Sequence, residues 1–246
     1  MPSIQRMRLQ PVRRNLTVRN IEQVTPRMVR IFLFGEELAT FNSPSPDDHV
    51  KIFFPVGDDQ VEGRDYTPRF FDADACVLAV EFFLHEGGVG SSWAQQARPG
   101  DPLQIGGPKG STVISAPGAW WLLIGDETAL PSIARRLKET AADTEVIAVL
   151  AVTGPAEEQR FETDANLTLR WIHRPDSQAS LAAPFLAALS QVDLPSSPGF
   201  IWIAAEAGVT KLIRDYAVEK LKHPPEWIKA SAYWSHQQEQ ASPTGP

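Results

Sequence analysis

The stretch that decides the fold is Arg64-Asp65-Tyr66-Thr67-Pro68-Arg69, which follows the apolar run Val50 to Val56. A guanidinium offers a planar fork for a phosphate, and a tyrosine ring offers a flat amphipathic surface for stacking. The hydroxyl of Thr67 adds a small hydrogen-bond donor just before Pro68 turns the chain. Alternate side chains of an extended segment share one face, so Arg64 and Tyr66 should point together. The mixture suits a flavin nucleotide, although an exposed hairpin in an ordinary β protein would carry the same residue types.

Short strand-like segments flank this stretch on both sides. They are rich in apolar and β-branched residues, and Pro, Gly and Asp punctuate the turns between them. The segments are Leu16–Ile21, Met28–Phe34, His49–Pro55, Cys76–Leu84 and Leu103–Ile105. Their regular spacing favours a small antiparallel barrel. Residues 1–14 carry four arginines among polar residues and are predicted to form a loosely held arm.

A glycine-rich turn follows the fourth of these segments. Gly87, Gly88 and Gly90 lead through Ser91 and Ser92 into a short helical stretch. A serine at the mouth of a helix can cap it, and the free N–H groups there attract anions together with the positive end of the helix dipole. This turn is therefore a candidate phosphate site.

The composition changes after Pro117-Gly118, where apolar strands begin to alternate with helices. Such alternation predicts a parallel sheet covered by helices on both faces, with ligands at the carboxyl ends of the strands. The predicted strands are Trp120–Ile124, Val146–Thr153, Leu167–Ile172, Phe200–Ala204 and Ile228–Trp234, and the predicted helices are Ala129–Ala142, Ala179–Leu189 and Ala207–Lys222. We therefore expect an arm at 1–14, a β domain at 15–115, an α/β domain at 118–236 and a polar tail at 237–246.

Composition excludes several classes of function. A formal charge of -7 over 246 residues argues against nucleic acid as the main partner, because binding it needs a basic face. A single cysteine, Cys76, excludes an internal disulfide and multi-cysteine metal sites. The five histidines are scattered, so no protein-bound metal is expected. No apolar run approaches the ~20 residues of a membrane span, and no signal-peptide core follows the start, so we expect a cytoplasmic protein without membrane insertion.

Eight short motifs occur in a fixed order along the chain. They are Thr25–Arg30, Asp48–Lys51, Arg64–Arg69, His85 with the Gly-Ser-Ser-Trp-Ala turn, Gly107–Ser111, Gly125–Pro131, Ala205–Ala207 and Tyr233-Trp234. In this order and spacing the chain resembles the siderophore-interacting protein family, the flavin-dependent ferric-siderophore reductases of the ferredoxin-reductase-like superfamily. The resemblance runs from about Arg13 to Trp234. It implies a six-stranded antiparallel FAD-binding barrel followed by a Rossmann-like parallel-sheet NAD(P)-binding domain.

The resemblance also implies roles for individual residues. Arg64 would hold an FAD phosphate, while Tyr66 would stack on the isoalloxazine and Thr67 would bond near its reactive N5, which makes these two the catalytic pair. The adenosine and pyrophosphate side would be bound by His85, Gly90, Ser91, Ser92 and Trp93. The nicotinamide nucleotide would face Asp126, Glu127, Thr128 and Glu206, with Trp234 at the ring end of the site.

The activity that the resemblance implies is reduction of siderophore-bound Fe(III) with electrons from NADPH or NADH through FAD. Lys51 is the first candidate for binding the anionic ferric siderophore, followed by Lys109, Lys229 and Arg69. Arg174, after a strand, is a candidate contact for a 2′-phosphate. The expected assembly is a monomer or a weak dimer. The alternatives are a general NAD(P)H flavin reductase with another acceptor and a non-catalytic flavin- or siderophore-binding protein.

Overall fold

A computed structural model describes residues 2–57 and 60–235 of the chain. The predicted tail at 237–246 lies outside these residues. The chain divides into two compact units. Residues 4–114 and 131–136 form the first, which we call the antiparallel unit, and residues 115–130 and 137–235 make up most of the second, the parallel unit.

The antiparallel unit is built on a seven-stranded sheet. Its strands are β2 (Arg13–Thr25), β3 (Met28–Phe34), β4 (Val50–Pro55), β5 (Val61–Tyr66), β6 (Pro68–Asp72), β7 (Val77–Phe83) and β8 (Pro102–Gly106). They are ordered β5-β4-β8-β2-β3-β7-β6, so β5 and β6 form the two edges. The predicted antiparallel fold is confirmed, but the expected count of six strands was too low.

The seventh strand arises where the chain passes through Thr67-Pro68. Strand β5 pairs with β4 up to Tyr66, whereas β6 begins at Pro68 and pairs with β7 at the opposite edge. Proline has no backbone N–H to continue a ladder, so the chain can leave one strand partner and join another at this point. The stretch that the sequence analysis treats as one element is therefore the junction of two strands.

Burial alternates along the strand that lies beside this junction. In β4, Val50, Ile52 and Phe54 are fully buried, while Lys51 between them is only half-buried. This period of two is that of a strand with one face on the core. The core also receives Leu33 from β3 and Phe82 from β7.

The first residues of the chain correct one expectation. Strand β1 (Ser3–Arg8) pairs with β9 (Gly110–Ser115) in a two-stranded sheet. Arg14 is only 3% exposed, and its guanidinium donates to the carbonyl oxygens of Glu37 at 2.9 Å, Gly107 at 3.1 Å and Thr40 at 3.3 Å. Residues 3–8 and 13–14 are therefore paired in sheets where a loose arm was expected, and of the four arginines only Arg14 is buried, while Arg6, Arg8 and Arg13 are exposed as predicted for an arm.

The parallel unit carries a five-stranded parallel sheet in the order β12-β11-β10-β13-β14. Its strands are β10 (Trp120–Gly125), β11 (Glu145–Val152), β12 (Asn166–His173), β13 (Gly199–Glu206) and β14 (Ile228–Trp234). Every residue of β10 and β13 is buried, as expected for central strands covered on both faces. The predicted parallel sheet is confirmed.

The helices agree with the predicted ones except at their ends. They are α1 (Val89–Gln96), α2 (Leu130–Glu139), α3 (Ala183–Leu189) and α4 (Ala207–Glu219). Helix α3 starts four residues later than predicted, because a proline occupies its first turn and fixes where a helix can begin. Within residues 2–57 and 60–235, no helix is long and apolar enough to cross a membrane.

Candidate functional site

Tyr66, at the end of β5, lies on an aromatic cluster in the antiparallel unit. Its ring centroid is 4.6 Å from that of Phe82 and 5.9 Å from that of Phe54, which it meets edge-on. Burial raises the pKa of the Tyr66 phenol, so the group stays neutral under ordinary conditions. Tyr66 thus offers a fixed aromatic surface and an uncharged hydroxyl.

Thr67 directs its hydroxyl toward helix α2. The Oγ1 of Thr67 lies 3.0 Å from the Oγ of Ser132, and both residues are buried. Sequence reasoning placed Thr67 at the site but missed Ser132. A serine in the first turn of a helix, directly after Pro131, was a signal that could have pointed to it.

Gly90 gives Tyr66 the room that it occupies. A Cβ added at Gly90 would lie 1.9 Å from the Tyr66 hydroxyl oxygen, a distance at which no side chain fits. Any residue larger than glycine would therefore displace the tyrosine ring or the start of α1. The glycine-rich turn and the Tyr66 turn, which are 24 positions apart in sequence, form one site.

The start of α1 combines a fixed loop with the positive end of a helix dipole. The Ser91 hydroxyl is used within the loop, since it accepts from the backbone N–H of His85 at 2.9 Å and donates to the His85 carbonyl at 2.7 Å, and its contact with a phosphate stays a prediction. Gly88 is the N-cap residue of the helix and has no side chain with which to cap it. Ser92 is exposed in the first turn. The positive end of the helix dipole attracts anions here, but Gly90 and Ser91 are buried and the Ser92 N–H already donates to the Gly88 carbonyl at 2.8 Å.

Arg64 and Trp93 occupy opposite environments around this site. Arg64 is exposed, and its guanidinium pairs with the neighbouring carboxylate of Glu62. Trp93, in α1, packs against Phe54 with ring centroids 5.6 Å apart, and its ring centroid lies 5.7 Å from that of Phe82. The arginine is thus available to a ligand at the surface, whereas the tryptophan supports the aromatic cluster from inside.

These residues of the antiparallel unit fit a flavin nucleotide. The cluster supplies a flat aromatic surface at Tyr66, a buried hydroxyl at Thr67, an exposed guanidinium at Arg64 and uncapped N–H groups at the start of α1. A planar ring system, a ring nitrogen and a diphosphate need these groups. A Cβ at Gly90 would overlap the Tyr66 hydroxyl, so the start of α1 and the Tyr66 turn are in contact.

In the parallel unit, Asp126 ties together the carboxyl ends of three strands. Its carboxylate accepts from the Thr128 N–H at 3.1 Å and hydroxyl at 2.6 Å, from the Glu206 N–H at 3.2 Å and from Trp234 Nε1 at 2.8 Å. Asp126 is completely buried. The structure therefore brings together four of the residues that the sequence analysis assigned to the nicotinamide nucleotide.

Glu206 has a structural use as well. Its Oε2 accepts from the backbone N–H groups of Gly208 at 2.6 Å and Val209 at 3.0 Å, and so caps helix α4. A carboxylate at this position satisfies donors that would otherwise be open to an anionic ligand. Its contact with a nicotinamide nucleotide stays a prediction.

Glu127 and Arg174 form a buried ion pair beside Asp126. The guanidinium Nη2 of Arg174 lies 3.2 Å from Glu127 Oε2 and 3.8 Å from Asp126 Oδ2. Burial raises the pKa of Glu127 to about 7, although the charge of Arg174 acts in the opposite direction. Arg174 is only 1% exposed, so the expectation that it contacts a 2′-phosphate is not supported.

The predicted substrate cations differ in their surroundings. Lys51 is one-third exposed, and its Nζ lies 2.7 Å from the Asp65 carboxylate across strands β4 and β5. Arg69 lies 3.4 Å from the fully buried carboxylate of Glu81. Lys109 is exposed and Lys229, in β14, is half-buried. The substrate roles of all four stay predictions, and Lys51 is the one that combines exposure with a position beside the Tyr66 strand.

The described residues also bear on metal binding. Over residues 2–57 and 60–235, no three His, Cys, Asp or Glu side chains form a group that could hold a metal ion. The expectation that the protein holds no metal of its own stays a prediction.

Comparison with known proteins covers both units. Residues 118–237 match the family described as "Siderophore-interacting protein", and residues 17–63 and 56–112 match the "Siderophore-interacting FAD-binding domain". The NADPH-dependent ferric-chelate reductase of Escherichia coli (strain K12) is 35% identical over 90% of this chain and 92% of its own. This chain belongs to the siderophore-interacting protein family.

Two further relatives align with most of this chain. A siderophore utilization protein from T. fusca, known from its crystal structure, has a TM-score of 0.85 and 34% identity, covering 96% of this chain and 97% of that chain. Ferric vibriobactin reductase ViuB of Vibrio cholerae is 25% identical over 86% of this chain and 85% of its own. The T. fusca structure thus shares the fold of this chain over nearly its whole length.

Proposed function

We propose that this protein is an NAD(P)H-dependent ferric-siderophore reductase that releases iron in the cytoplasm. The observation that carries the proposal is the 35% identity with the NADPH-dependent ferric-chelate reductase over 90% of this chain. The flavin-suited cluster of the antiparallel unit supports it independently, because it joins an aromatic surface, a buried hydroxyl and an anion-binding helix start.

When bound, FAD supplies the redox chemistry, since it can accept a hydride from NAD(P)H and give up electrons singly. The chain's own residues bind and orient it. Arg64 and the N–H groups at the start of α1 would hold the phosphates, Tyr66 would pack on the ring system, and the Thr67 hydroxyl would bond near the ring atom that accepts the hydride. Asp126 fixes the strand ends at which the nicotinamide nucleotide binds.

The substrate is ferric iron held by a siderophore, and the protein needs no ligands of its own for the metal. Ferric iron binds anionic oxygen ligands tightly, whereas ferrous iron is less charged and is held far less strongly. Reduction therefore releases the iron. Lys51 offsets part of the negative charge of the incoming chelate, although Asp65 at 2.7 Å competes for the same ammonium group.

Anaerobic mixing tests the proposal. Purified protein loaded with FAD is mixed with NADPH or NADH and then with ferric siderophores, and a ferrous-specific chelator records the release of Fe(II). We expect reduction of the flavin by at least one nicotinamide nucleotide and Fe(II) release with ferric siderophores. Rapid turnover of quinones without any Fe(II) release would identify a general flavin reductase, and a flavin that never bleaches would identify a binding protein.

The role of Arg64 can be tested separately. Replacing the phosphate-binding guanidinium by Arg64→Ala should weaken FAD binding by about tenfold or more, because an arginine–phosphate pair is charge-assisted and often bidentate. Arg98→Ala removes another exposed arginine from the same unit and serves as the control. Equal FAD affinity in the two variants would remove Arg64 from the binding site.

A further inference from the structure

A pair of buried hydroxyl groups lies at the turn where the flavin ring is expected to bind. Thr67 is 8% exposed and Ser132 is 1% exposed, and their side-chain oxygens are 3.0 Å apart. Either oxygen can be the donor in this hydrogen bond. The direction of the bond is therefore set by whatever else the two hydroxyl groups contact.

Helix α2 holds this turn at two consecutive residues. Arg135 lies one helical turn after Ser132, and its Nη1 donates to the Pro68 carbonyl at 3.1 Å. The same guanidinium donates to Ser43, at 2.9 Å to the hydroxyl and at 2.9 Å to the carbonyl oxygen. Residues three apart share one face of a helix, so Ser132 and Arg135 act on the turn together. The Thr67 hydroxyl is thereby held in place by α2.

The hydrogen-bonding capacity of a hydroxyl limits what Thr67 can do. A hydroxyl has one hydrogen to donate and two lone pairs with which to accept. If Thr67 donates its hydrogen to a ligand, that hydrogen is not available to Ser132. If instead the ligand atom carries a hydrogen, Thr67 accepts from it and can donate its own hydrogen to Ser132.

The flavin N5 presents both situations. It is an acceptor without a hydrogen in the oxidised ring and an N–H donor in the reduced ring. We propose that Ser132 is a positioning residue for Thr67, and that the Thr67 hydroxyl turns its hydrogen from the ligand to the Ser132 oxygen when the cofactor is reduced. This change needs only rotation about the C–O bond of Thr67, and no covalent bond to hydrogen is made or broken. This inference rests on the proposed function, since it requires Thr67 to face N5.

Loss of the Ser132 hydroxyl should shift the equilibrium between oxidised and reduced flavin in one direction. Without the Ser132 hydroxyl, Thr67 can still donate to the oxidised ring and leaves only a lone pair unused. With the reduced ring, Thr67 accepts from N5–H, and its own buried hydrogen loses its acceptor. An unsatisfied buried donor is the larger penalty. Removing the Ser132 hydroxyl therefore disfavours the reduced cofactor.

The test compares Ser132→Ala with Ser132→Thr, which keeps the hydroxyl, and with Ser111→Ala, which removes a buried hydroxyl elsewhere in the same unit. Midpoint potentials of the bound flavin are measured together with FAD affinity. We expect Ser132→Ala to shift the oxidised-to-reduced equilibrium about tenfold, which lowers the potential of this two-electron couple by about 30 mV. Ser132→Thr should restore the wild-type potential, and Ser111→Ala should leave it unchanged.

Anaerobic single-turnover reduction by NADPH adds a kinetic measurement. The bleaching rate of Ser132→Ala at saturating NADPH should fall, while the concentration of NADPH that gives half the maximal rate should stay the same. A purely structural role would lower FAD affinity without this shift in potential. An unchanged potential in FAD-loaded Ser132→Ala overturns the inference and leaves the proposed function intact, whereas failure of the wild type to bind FAD overturns the proposed function itself.

Discussion

Glu127 should make the stability of the folded protein depend on pH, and the size of this effect follows from the shift of its pKa. Its carboxyl is 5% exposed, and among the described residues its Oε1 has no hydrogen-bond partner. Burial raises its pKa from 4.5 to about 7; Asp126 and Asp176 add to the effect, and Arg174 opposes it. The folded protein therefore keeps a proton on Glu127 at pH values where the unfolded chain has released it.

This difference in proton binding makes the folded state less stable as the pH rises. The contribution of Glu127 is fully present below the unfolded pKa of 4.5 and is lost as the pH rises through the folded value of about 7. The difference between these two values, at about 1.4 kcal/mol per unit, corresponds to about 3 kcal/mol. Replacing Glu127 by glutamine removes the titrating group and should remove this part of the pH dependence.

The assay is thermal unfolding of wild type and Glu127→Gln at about pH 5 and about pH 8. Six of the seven tryptophans lie between Trp120 and Trp234, so tryptophan fluorescence reports mainly on the parallel unit. Relative to the variant, the wild type should lose on the order of 10 °C in Tm between these two pH values. The comparison uses the change with pH, so any constant effect of leaving Arg174 without its partner cancels.

A matched control is Glu162→Gln, which alters a carboxylate whose side chain is 83% exposed and paired with Lys138 at the surface. Exposed pairs contribute little to stability, so this variant should follow the wild-type curve. Parallel curves for wild type and Glu127→Gln would refute the reasoning, because they would mean that Glu127 titrates alike in the folded and unfolded chains.

Two further predictions concern the cofactor and the substrate. Gly90→Ala should weaken FAD binding and cost about 1–3 kcal/mol of stability, because its Cβ would meet the Tyr66 hydroxyl. Gly154→Ala is the control and should be tolerated, since nothing lies within 4 Å of its Cβ. FAD titration and thermal unfolding are measured for both variants, and equal behaviour of the two would contradict the packing argument. Lys51→Ala should raise KM for anionic ferric chelates about two- to fivefold, and Asp65→Asn should lower this KM. The KM for neutral ferric chelates should stay the same in both variants. A change of the same size for neutral chelates would exclude an electrostatic role of Lys51.

Local patterns in the sequence predicted most of the fold. The all-apolar run Trp120–Ile124 is a central strand of the parallel sheet, and the predicted strand segment His49–Pro55 contains β4 (Val50–Pro55), as found. Both predictions need only the types of residues that are close together in sequence and the spacing of the apolar ones. The strand count and the arm at 1–14 were wrong, because the pairing of β6 with β7 and of β1 with β9 joins segments that local patterns do not connect.

The candidate site was predicted in part for the same reason. Tyr66, Thr67 and Gly90 were named from the sequence, and the structure brings Tyr66 and Gly90 together. Ser132 was missed, because its contact with Thr67 spans 65 positions. The burial of Arg174 was missed as well, since an arginine after a strand is usually exposed and only the fold reveals Glu127 beside it.

The central claim is that a flavin held by the antiparallel unit passes electrons from a nicotinamide nucleotide to siderophore-bound iron. The most direct measurement is the visible absorption spectrum of the FAD-loaded protein under anaerobic conditions, first with NADPH or NADH and then with a ferric siderophore. We predict that the flavin bands bleach with the nucleotide and return with the ferric siderophore, while Fe(II) appears in proportion. A colourless protein that takes up no FAD, or bleached bands that no ferric siderophore restores, would contradict the claim.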